Sequence, residues 1–395
     1  MSAADQPMIE TDAPRRVELV DLLRGLALIL MVLDHTRDYF HADALIFDPL
    51  DLEKTTPLLF FTRWITHLSA PVFVFLSGVS IWLQQRRGKT GWRLSGHLLA
   101  RGLWLIGLEL TVISFGFNFG YPFFFLQVIY AIGASMVVMA VLHWLPGRSV
   151  LIIGIALVAG HNFFGSIKAE DLQGADQIAW RLLMEPGKLD GLPSLVAYPL
   201  LPWLGILCLG YGFAPVFTLE TLARRRAITL LAAGCLGLFV ILRLPNLYGD
   251  QKPWEWQSNP GLMLLDILNV SKYPPSLDYT LLMLGLALCL TLTLTHLPRV
   301  IQAPLLTFGR TPFLTYLLHI YIVHGVATVF GLITGAPIGH FTNFISQPEP
   351  APAGWGLNLW QVYLAWLVIL CLLYPVSRAY GRYKLKRRQW WLGYL

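Results

Sequence analysis

The chain alternates between long apolar segments and short polar strips that hold most of its Lys, Arg, Asp and Glu residues. An apolar run of about 20 residues crosses the hydrocarbon core of a bilayer as an α-helix. We therefore predict an all-α polytopic membrane protein with ten transmembrane helices, over residues 18–40, 58–84, 95–116, 122–145, 149–165, 195–218, 226–244, 276–297, 303–332 and 358–379. Pro, Gly and Trp interrupt four longer stretches, which we predict to be non-helical: 42–57, 166–194, 245–275 and 334–357.

The composition excludes a soluble enzyme. The 395 residues are 55% hydrophobic and only 13% charged, against about 25% charged in ordinary globular chains. The four cysteines all lie inside apolar runs, without CxxC or Cys/His spacing, so we expect neither disulfides nor a bound metal.

Basic residues flank the apolar runs, a pattern that reports membrane topology rather than nucleic-acid binding. The ten-helix model puts seventeen of them on one side: Arg15, Arg16, Arg86, Arg87, Lys89, Arg93, Arg148, Arg224, Arg225, Arg226, Arg299, Arg378, Arg382, Lys384, Lys386, Arg387 and Arg388. The other side holds six: Lys54, Lys168, Arg181, Lys188, Lys252 and Lys272. This bias predicts that both termini are cytoplasmic.

The same pattern predicts the domain organisation. We expect a disordered cytoplasmic leader over 1–17, a single transmembrane domain over 18–380 and a basic cytoplasmic tail over 381–395. The leader has no apolar region followed by a cleavage site, so it is not a signal peptide. The expected location is a bacterial inner membrane, with the protein inserted as a multi-pass integral protein.

Ionisable residues within the apolar runs are candidate functional groups, because a buried charge in a bilayer is costly. Arg24 and His35 are eleven residues apart, which on a helix is about three turns and about 16 Å on one face. Asp34 and Asp38 flank the imidazole, so His35 is a candidate general base with carboxylates to support it. The alternative is a polar helix end made of mutual ion pairs.

Three further helices carry charged candidates. Arg63 and His67 share a face of the second predicted helix, and His67 is a second candidate base. Arg101 in the third helix and Arg310 at the start of the ninth lie toward the cytoplasmic side, where they could bind phosphate groups. Their alternatives are a structural ion pair for Arg101 and a lipid headgroup contact for Arg310.

Four segments together resemble a known family. The Arg24 to His35 helix resembles the first-helix signature of transmembrane acyltransferases, and Ala70-Pro71-Val72-Phe73-Val74-Phe75-Leu76-Ser77-Gly78 resembles the second-helix motif. Pro202-Trp203-Leu204-Gly205, followed by Gly210-Tyr211, is similar to a sixth-helix motif. Gly309-Arg310-Thr311-Pro312 with Tyr316-Leu317-Leu318-His319 resembles a late-helix motif. The resemblance, over about 20–325, is to the heparan-alpha-glucosaminide N-acetyltransferase-like family, which is related to the acyltransferase-3 family.

The resemblance implies transfer of an acyl group, expected to be acetyl, from cytoplasmic acyl-CoA to a hydroxyl or amine acceptor across the membrane. It implies a catalytic role for His35. From their positions, Asp34 and Asp38 are further catalytic candidates, and the candidates for binding CoA are Arg24, Arg63, Arg101 and Arg310. The expected partners are acyl-CoA, a carbohydrate (a sugar or an envelope glycan) or other small acceptor, membrane lipid and, as an open alternative, a second copy in a homodimer. No nucleic acid is expected.

Two points stay open. In the heparan branch the catalytic histidine follows the first helix and precedes alanine, which matches His41-Ala42 better than His35, so His35, His41 and His67 all remain candidates. The chosen histidine can act as a general base or can accept the acyl group itself.

Two other classes of protein compete with the acyltransferase. Asp34, His35, Asp38, Arg63 and His67 could form the binding site of a proton-coupled secondary transporter, although the sequence shows no inverted repeat. A scaffold without chemistry is the second alternative.

Overall fold

The computed structural model describes residues 17–387 and residue 389, and this part of the chain is almost entirely helical. Its helices are α1 Glu18–Phe40, α2 Pro57–Thr66, α3 Ser69–Arg86, α4 Gly91–Leu108, α5 Ser114–Asn118, α6 Val128–Leu142, α7 Gly147–Gly160, α8 Gly174–Leu183, α9 Leu200–Phe213, α10 Thr221–Arg243, α11 Pro260–Leu268, α12 Leu277–Leu294, α13 Arg299–Arg310, α14 Pro312–Thr334, α15 Ile338–Phe341 and α16 Leu359–Lys386. Two three-residue strands, β1 Phe124–Leu126 and β2 Ser194–Val196, pair in parallel.

Eight helical stretches within the described residues are long and apolar enough to cross a membrane. This confirms a multi-pass helical membrane protein. Each of the ten predicted runs contains a helix, but two of these helices differ from an ordinary apolar span. Helix α1 carries charged residues in both its first and last turns, and α6 has only 15 residues. The number of spans and the cytoplasmic location of both termini stay predictions.

Helix α1 lies at the centre of the helical bundle. It packs against α2, α3, α12, α13, α14 and α16, and most of its side chains are buried. A helix surrounded by protein in this way can carry charged residues at membrane depth, because neighbouring helices supply their partners instead of lipid.

Glycines allow α1 and α13 to cross at backbone contact. A Cβ atom on Gly25 would lie 1.9 Å from the Leu305 carbonyl oxygen, and one on Gly309 would lie 1.8 Å from the Asp21 carbonyl oxygen. Small residues at such crossings let two membrane helices approach closely. The crossing brings the start of α14, and the residues that follow it, against α1.

The structure differs from the predicted elements at four points. The run 58–84 is divided into α2 and α3 by a turn at His67 and Leu68. The run 303–332 is split into α13 and α14 at Thr311, because the residue before Pro312 is disfavoured in helical conformation. The stretches predicted to be non-helical contain α8, α11 and α15. Helix α8 forms because Ile178 and Leu182 pack on the small sheet. Helix α16 continues to Lys386, so the first part of the predicted tail is helical, whereas the leader up to residue 16 lies outside the described residues.

Candidate active site

A polar cavity of about 130 Å³ lies at the end of α1 that carries His35. Asp34, Asp38 and Arg63 line it with His35, so the fold brings together four of the residues singled out in the sequence. We call this space the outer cavity, after the predicted orientation. Residues from α1, α2, α3, α6 and α14 form its walls, and the loops before α12 and after α15 also contribute to them.

Hydrogen bonds define the tautomer of His35 when both rings are neutral. His319 Nδ1 contacts the carbonyl oxygen of Tyr316, so this nitrogen carries the proton and donates. His319 Nε2 is then an acceptor, and it lies 2.7 Å from His35 Nδ1. His35 must donate from Nδ1, which leaves the lone pair of its Nε2 available. This is the arrangement that a general base or a nucleophile requires.

The two carboxylates do not support His35 in the way the sequence predicted. Asp34 accepts hydrogen bonds of 2.7 Å from the Arg63 guanidinium and the Thr66 hydroxyl, and it lies 3.0 Å from Arg37. Asp38 pairs with Arg37 at 2.5 Å. Asp34 faces α2 because consecutive residues on a helix point about 100° apart, whereas His35 faces α14. The hydrogen-bond partner of the imidazole is therefore His319.

The other two candidate histidines do not line the outer cavity. His41 follows the last residue of α1, and its Nδ1 accepts a hydrogen bond of 3.2 Å from the Asp43 amide. Burial lowers the pKa of His41, and the Arg37 charge adds to this while Asp43 opposes it. His67 is buried against the ring of Tyr279, whose hydroxyl donates to the His67 carbonyl oxygen.

A second cavity, of about 100 Å³, lies toward the other end of α1 and contains Arg24 and Arg101. We call it the inner cavity. Arg24 donates to Asp21 at 3.1 Å, to the Gly309 carbonyl oxygen at 3.3 Å and to the Ser80 hydroxyl at 3.1 Å. These contacts hold the guanidinium at the crossing of α1, α3 and α13.

Further positive charge surrounds Arg101. Lys89 precedes α4 and Arg93 lies in its first turn, and Lys89 interacts electrostatically with both Arg93 and Arg101. Burial lowers the pKa of the Lys89 ammonium, and the charges of Arg101 and Arg93 lower it further. Like charges held together in this way favour the binding of an anion.

The remaining two arginines singled out in the sequence lie elsewhere. Arg63 lines the outer cavity with Asp34 rather than the inner cavity with Arg24. Arg310 is at the end of α13, with its Nε 3.9 Å from an Asp21 carboxylate oxygen, and it is partly exposed without lining the inner cavity. The cation set of the inner cavity is therefore Arg24 and Arg101.

The two cavities meet at Phe73, Val128 and Tyr316, which line both. We call these three residues the junction. Along α3, and along α6 with the residue before it, the inner cavity lies on one side of the junction residue and the outer cavity on the other, and on α14 the residues Pro312 and Phe313 line the inner cavity ahead of Tyr316. Helix α1 runs alongside, with Arg24 at the inner cavity and His35 at the outer one. The two cavities are therefore neighbours along α1 and share the junction residues as part of both walls.

Sequence reasoning missed two polar residues of the outer cavity, Lys272 and Gln127. Lys272 is 7% exposed, and its ammonium lies 5.0 Å from the centre of the Tyr273 ring. The sequence signal for Lys272 was its place among only six basic residues on the predicted outer side. Gln127 precedes α6 in an apolar run, and no sequence signal marks it. His319 belongs to the late-helix motif, and no role was predicted for it from the sequence.

Within the described residues, no group of three or more His, Cys, Asp or Glu side chains could hold a metal ion. The fold and the two cavities define a multi-pass helical membrane protein with a buried polar site.

Residues 16–242 match the family model described as Heparan-alpha-glucosaminide N-acetyltransferase, catalytic, and the chain belongs to this family. The expected family is thereby confirmed. Members are membrane acetyltransferases that in general take the acetyl group from acetyl-CoA. A comparison with curated proteins found no match. The match ends within α10, so it includes the helices that carry Arg24, His35, Arg63 and Arg101 but not α14, which carries Tyr316 and His319.

Proposed function

We propose that the protein moves an acetyl group from cytoplasmic acetyl-CoA to a hydroxyl or amine of an acceptor on the opposite side of the membrane. The observation that carries this proposal is the junction, where a cavity containing two arginines meets a cavity containing an available histidine nitrogen.

The inner cavity suits the anionic end of CoA. Arginine forms charge-assisted hydrogen bonds with phosphate oxygens, and these are about twice as strong as neutral ones. Arg24 and Arg101, with Lys89 near Arg101 and Arg93, would hold the phosphates at the predicted cytoplasmic side. The asymmetry of basic residues in the loops supports this orientation.

The pantetheine arm would pass the junction and bring the thioester to His35. Arg24 and His35 lie about 16 Å apart along α1, a distance that the extended arm can span. The arm would pass between the side chains of Phe73, Val128 and Tyr316, which line both cavities.

His35 Nε2 would act at the thioester. As a general base it removes a proton from the acceptor, and as a nucleophile it takes the acetyl group first. The hydrogen bond to His319 keeps the required lone pair on Nε2 in both routes.

The acceptor would enter from the side lined by Lys272, Tyr273, Phe344 and Ile345. Aromatic surface beside polar groups suits a carbohydrate, and a sugar or envelope glycan is the acceptor class we propose. Lys272 and Arg63 add positive charge on this side, so acceptors with a nearby anionic group would be attracted.

The proposal is tested with the purified protein in lipid nanodiscs. Calorimetry should detect binding of acetyl-CoA, and radiolabelled acetyl groups should appear on an added hydroxyl or amine sugar. His35→Ala should bind acetyl-CoA without transferring acetyl. Absence of both binding and transfer in the folded wild-type protein would contradict the proposal. Uptake of a solute in proteoliposomes without acetyl transfer would instead favour the transporter alternative.

A further inference from the structure

Three polar groups in the wall of the outer cavity have no hydrogen-bond partner among the described residues, and one of them is the hydroxyl of the junction residue Tyr316. The other two are the Ser69 hydroxyl and the Gln127 side-chain nitrogen, on residues that are only 5% and 8% exposed. A buried donor that makes no hydrogen bond costs free energy. Both residues line a cavity, so an oxygen atom of a ligand could satisfy both donors.

Both groups lie on the outer side of the junction. Ser69 is four residues before Phe73 on α3, which is one helical turn, and Gln127 directly precedes Val128. His319, which orients His35, is about one turn beyond Tyr316 on α14. Each junction residue therefore has, on its outer side, a group that could act on a thioester emerging there. These groups are Ser69 beside Phe73, Gln127 beside Val128 and His319, through His35, beside Tyr316.

Gln127 is held in place by its backbone. It is the N-cap residue of α6, its amide donates a 2.7 Å hydrogen bond to Glu109 Oε1, and its carbonyl accepts from Ala131. Ser69 begins α3, where the chain turns out of α2. A fixed backbone limits how far each donor must move when negative charge develops nearby, and a small reorganisation is what makes an oxyanion site effective.

We infer that the Gln127 amide and the Ser69 hydroxyl form an oxyanion site for the acetyl carbonyl oxygen. This inference rests on the proposed acetyl transfer and adds two catalytic residues to it. Neither residue has a role in the sequence motifs or in the proposed action of His35 and His319.

In direct transfer, the acceptor's proton passes to His35 Nε2 while its oxygen or nitrogen bonds to the carbonyl carbon. The π electron pair moves onto the carbonyl oxygen, which then accepts hydrogen bonds from Gln127 and Ser69. When the carbonyl re-forms, the carbon–sulfur bond breaks, and the CoA thiolate takes the proton from His35. If His35 is acetylated first, the same oxygen becomes negative in each of the two steps.

The test compares Gln127→Met, Ser69→Ala and the wild type in nanodiscs. Loss of one oxyanion donor should lower kcat by about 10²-fold to 10³-fold, for hydrolysis of acetyl-CoA as well as for transfer, with the Kd of acetyl-CoA unchanged. Gln127→Glu retains the size of the side chain but replaces the donor with an anion, and it should lower kcat at least as far. This variant decides the matter if Gln127→Met does not fold.

Ser135→Ala is the matched control. Ser135 is also fully buried, its hydroxyl also has no partner among the described residues, and it lies on α6 outside both cavities. Its removal should leave kcat unchanged. Wild-type kcat in folded Gln127→Met or Gln127→Glu would overturn the inference while leaving acetyl transfer intact. A wild-type protein that neither binds nor uses acetyl-CoA would instead refute the proposed function.

Discussion

The imidazole rings of His35 and His319 are in contact although 284 residues separate them, with Nδ1 of His35 2.7 Å from Nε2 of His319. The ring planes are inclined by 16° and the centroids lie 5.0 Å apart, so the two rings meet edge to edge. The pair joins α1, which lies within the region matched by the family model, to α14, which lies beyond it. A complete site therefore needs both parts of the chain.

His35 should be essential for transfer but not for donor binding. His35→Gln removes the basic nitrogen, and general base catalysis contributes about 10²-fold to 10⁴-fold, so we expect kcat to fall by that factor or more. Calorimetry should show an unchanged Kd for acetyl-CoA, because the arginines proposed to bind it line the inner cavity, with Arg24 about three helical turns from His35.

His41→Ala is the comparison that separates the two candidate histidines. His41 lies outside the outer cavity, so this variant should keep most of the wild-type kcat. Near-normal transfer in His35→Gln together with loss in His41→Ala would assign the chemistry to His41.

His319 should act by positioning His35. In His319→Phe no acceptor remains for the proton on His35 Nδ1, so this proton can move to Nε2. A protonated Nε2 cannot act as a base, and we therefore expect kcat to fall by about 10²-fold with little change in KM. His319→Gln offers a carbonyl oxygen as acceptor and should recover part of the rate. Full activity in His319→Phe, or no recovery in folded His319→Gln, would contradict this role.

Arg24 and Arg101 should bind the donor. Arg24→Gln and Arg101→Gln should each weaken acetyl-CoA binding by about 1–3 kcal/mol for each charge-assisted hydrogen bond lost, with a smaller effect on acceptor KM. Arg87→Gln is a suitable control, because Arg87 is exposed near the same end of the bundle without lining the inner cavity. Equal affinities in all three folded variants would leave Arg24 and Arg101 with structural roles only.

Donor binding should also depend on pH through Lys89. Its pKa is lowered below the ordinary value of 10.5 by burial and by Arg101 and Arg93. Bound phosphate would favour the charged ammonium and raise this pKa. Binding of acetyl-CoA should therefore be accompanied by proton uptake. The affinity for acetyl-CoA should fall as the pH rises through the pKa of Lys89, which lies below 10.5. Calorimetry in buffers of different ionisation enthalpy measures the uptake, and Lys89→Gln should abolish it.

The sequence was sufficient for the parts of the fold that depend on local pattern. The run 18–40 predicted α1 closely, since apolar residues continue from Leu19 to Leu33 with few interruptions. The spacing of Arg24 and His35 on one face also agrees with their positions in two aligned cavities. Periodicity determines such relationships, because they lie within one helix.

Contacts between distant helices could not be predicted in this way. Nothing in α1 identifies His319 as the partner of His35, and the neighbouring aspartates made a carboxylate partner the simpler expectation. Asp34 instead pairs with Arg63 because α2 packs against its face of α1. Gln127 and Lys272 enter the outer cavity through a short strand-to-helix connection and a loop, for which the sequence carries no periodic signal.

The central claim is that acetyl groups cross the membrane through this protein. Proteoliposomes with the acceptor sealed inside and radiolabelled acetyl-CoA outside test it most directly, once a protease has defined the fraction of molecules whose cytoplasmic face points outward. We predict labelled acceptor inside the vesicles, in proportion to that fraction, and none with His35→Gln. Label appearing only on acceptor supplied on the same side as acetyl-CoA would contradict the account.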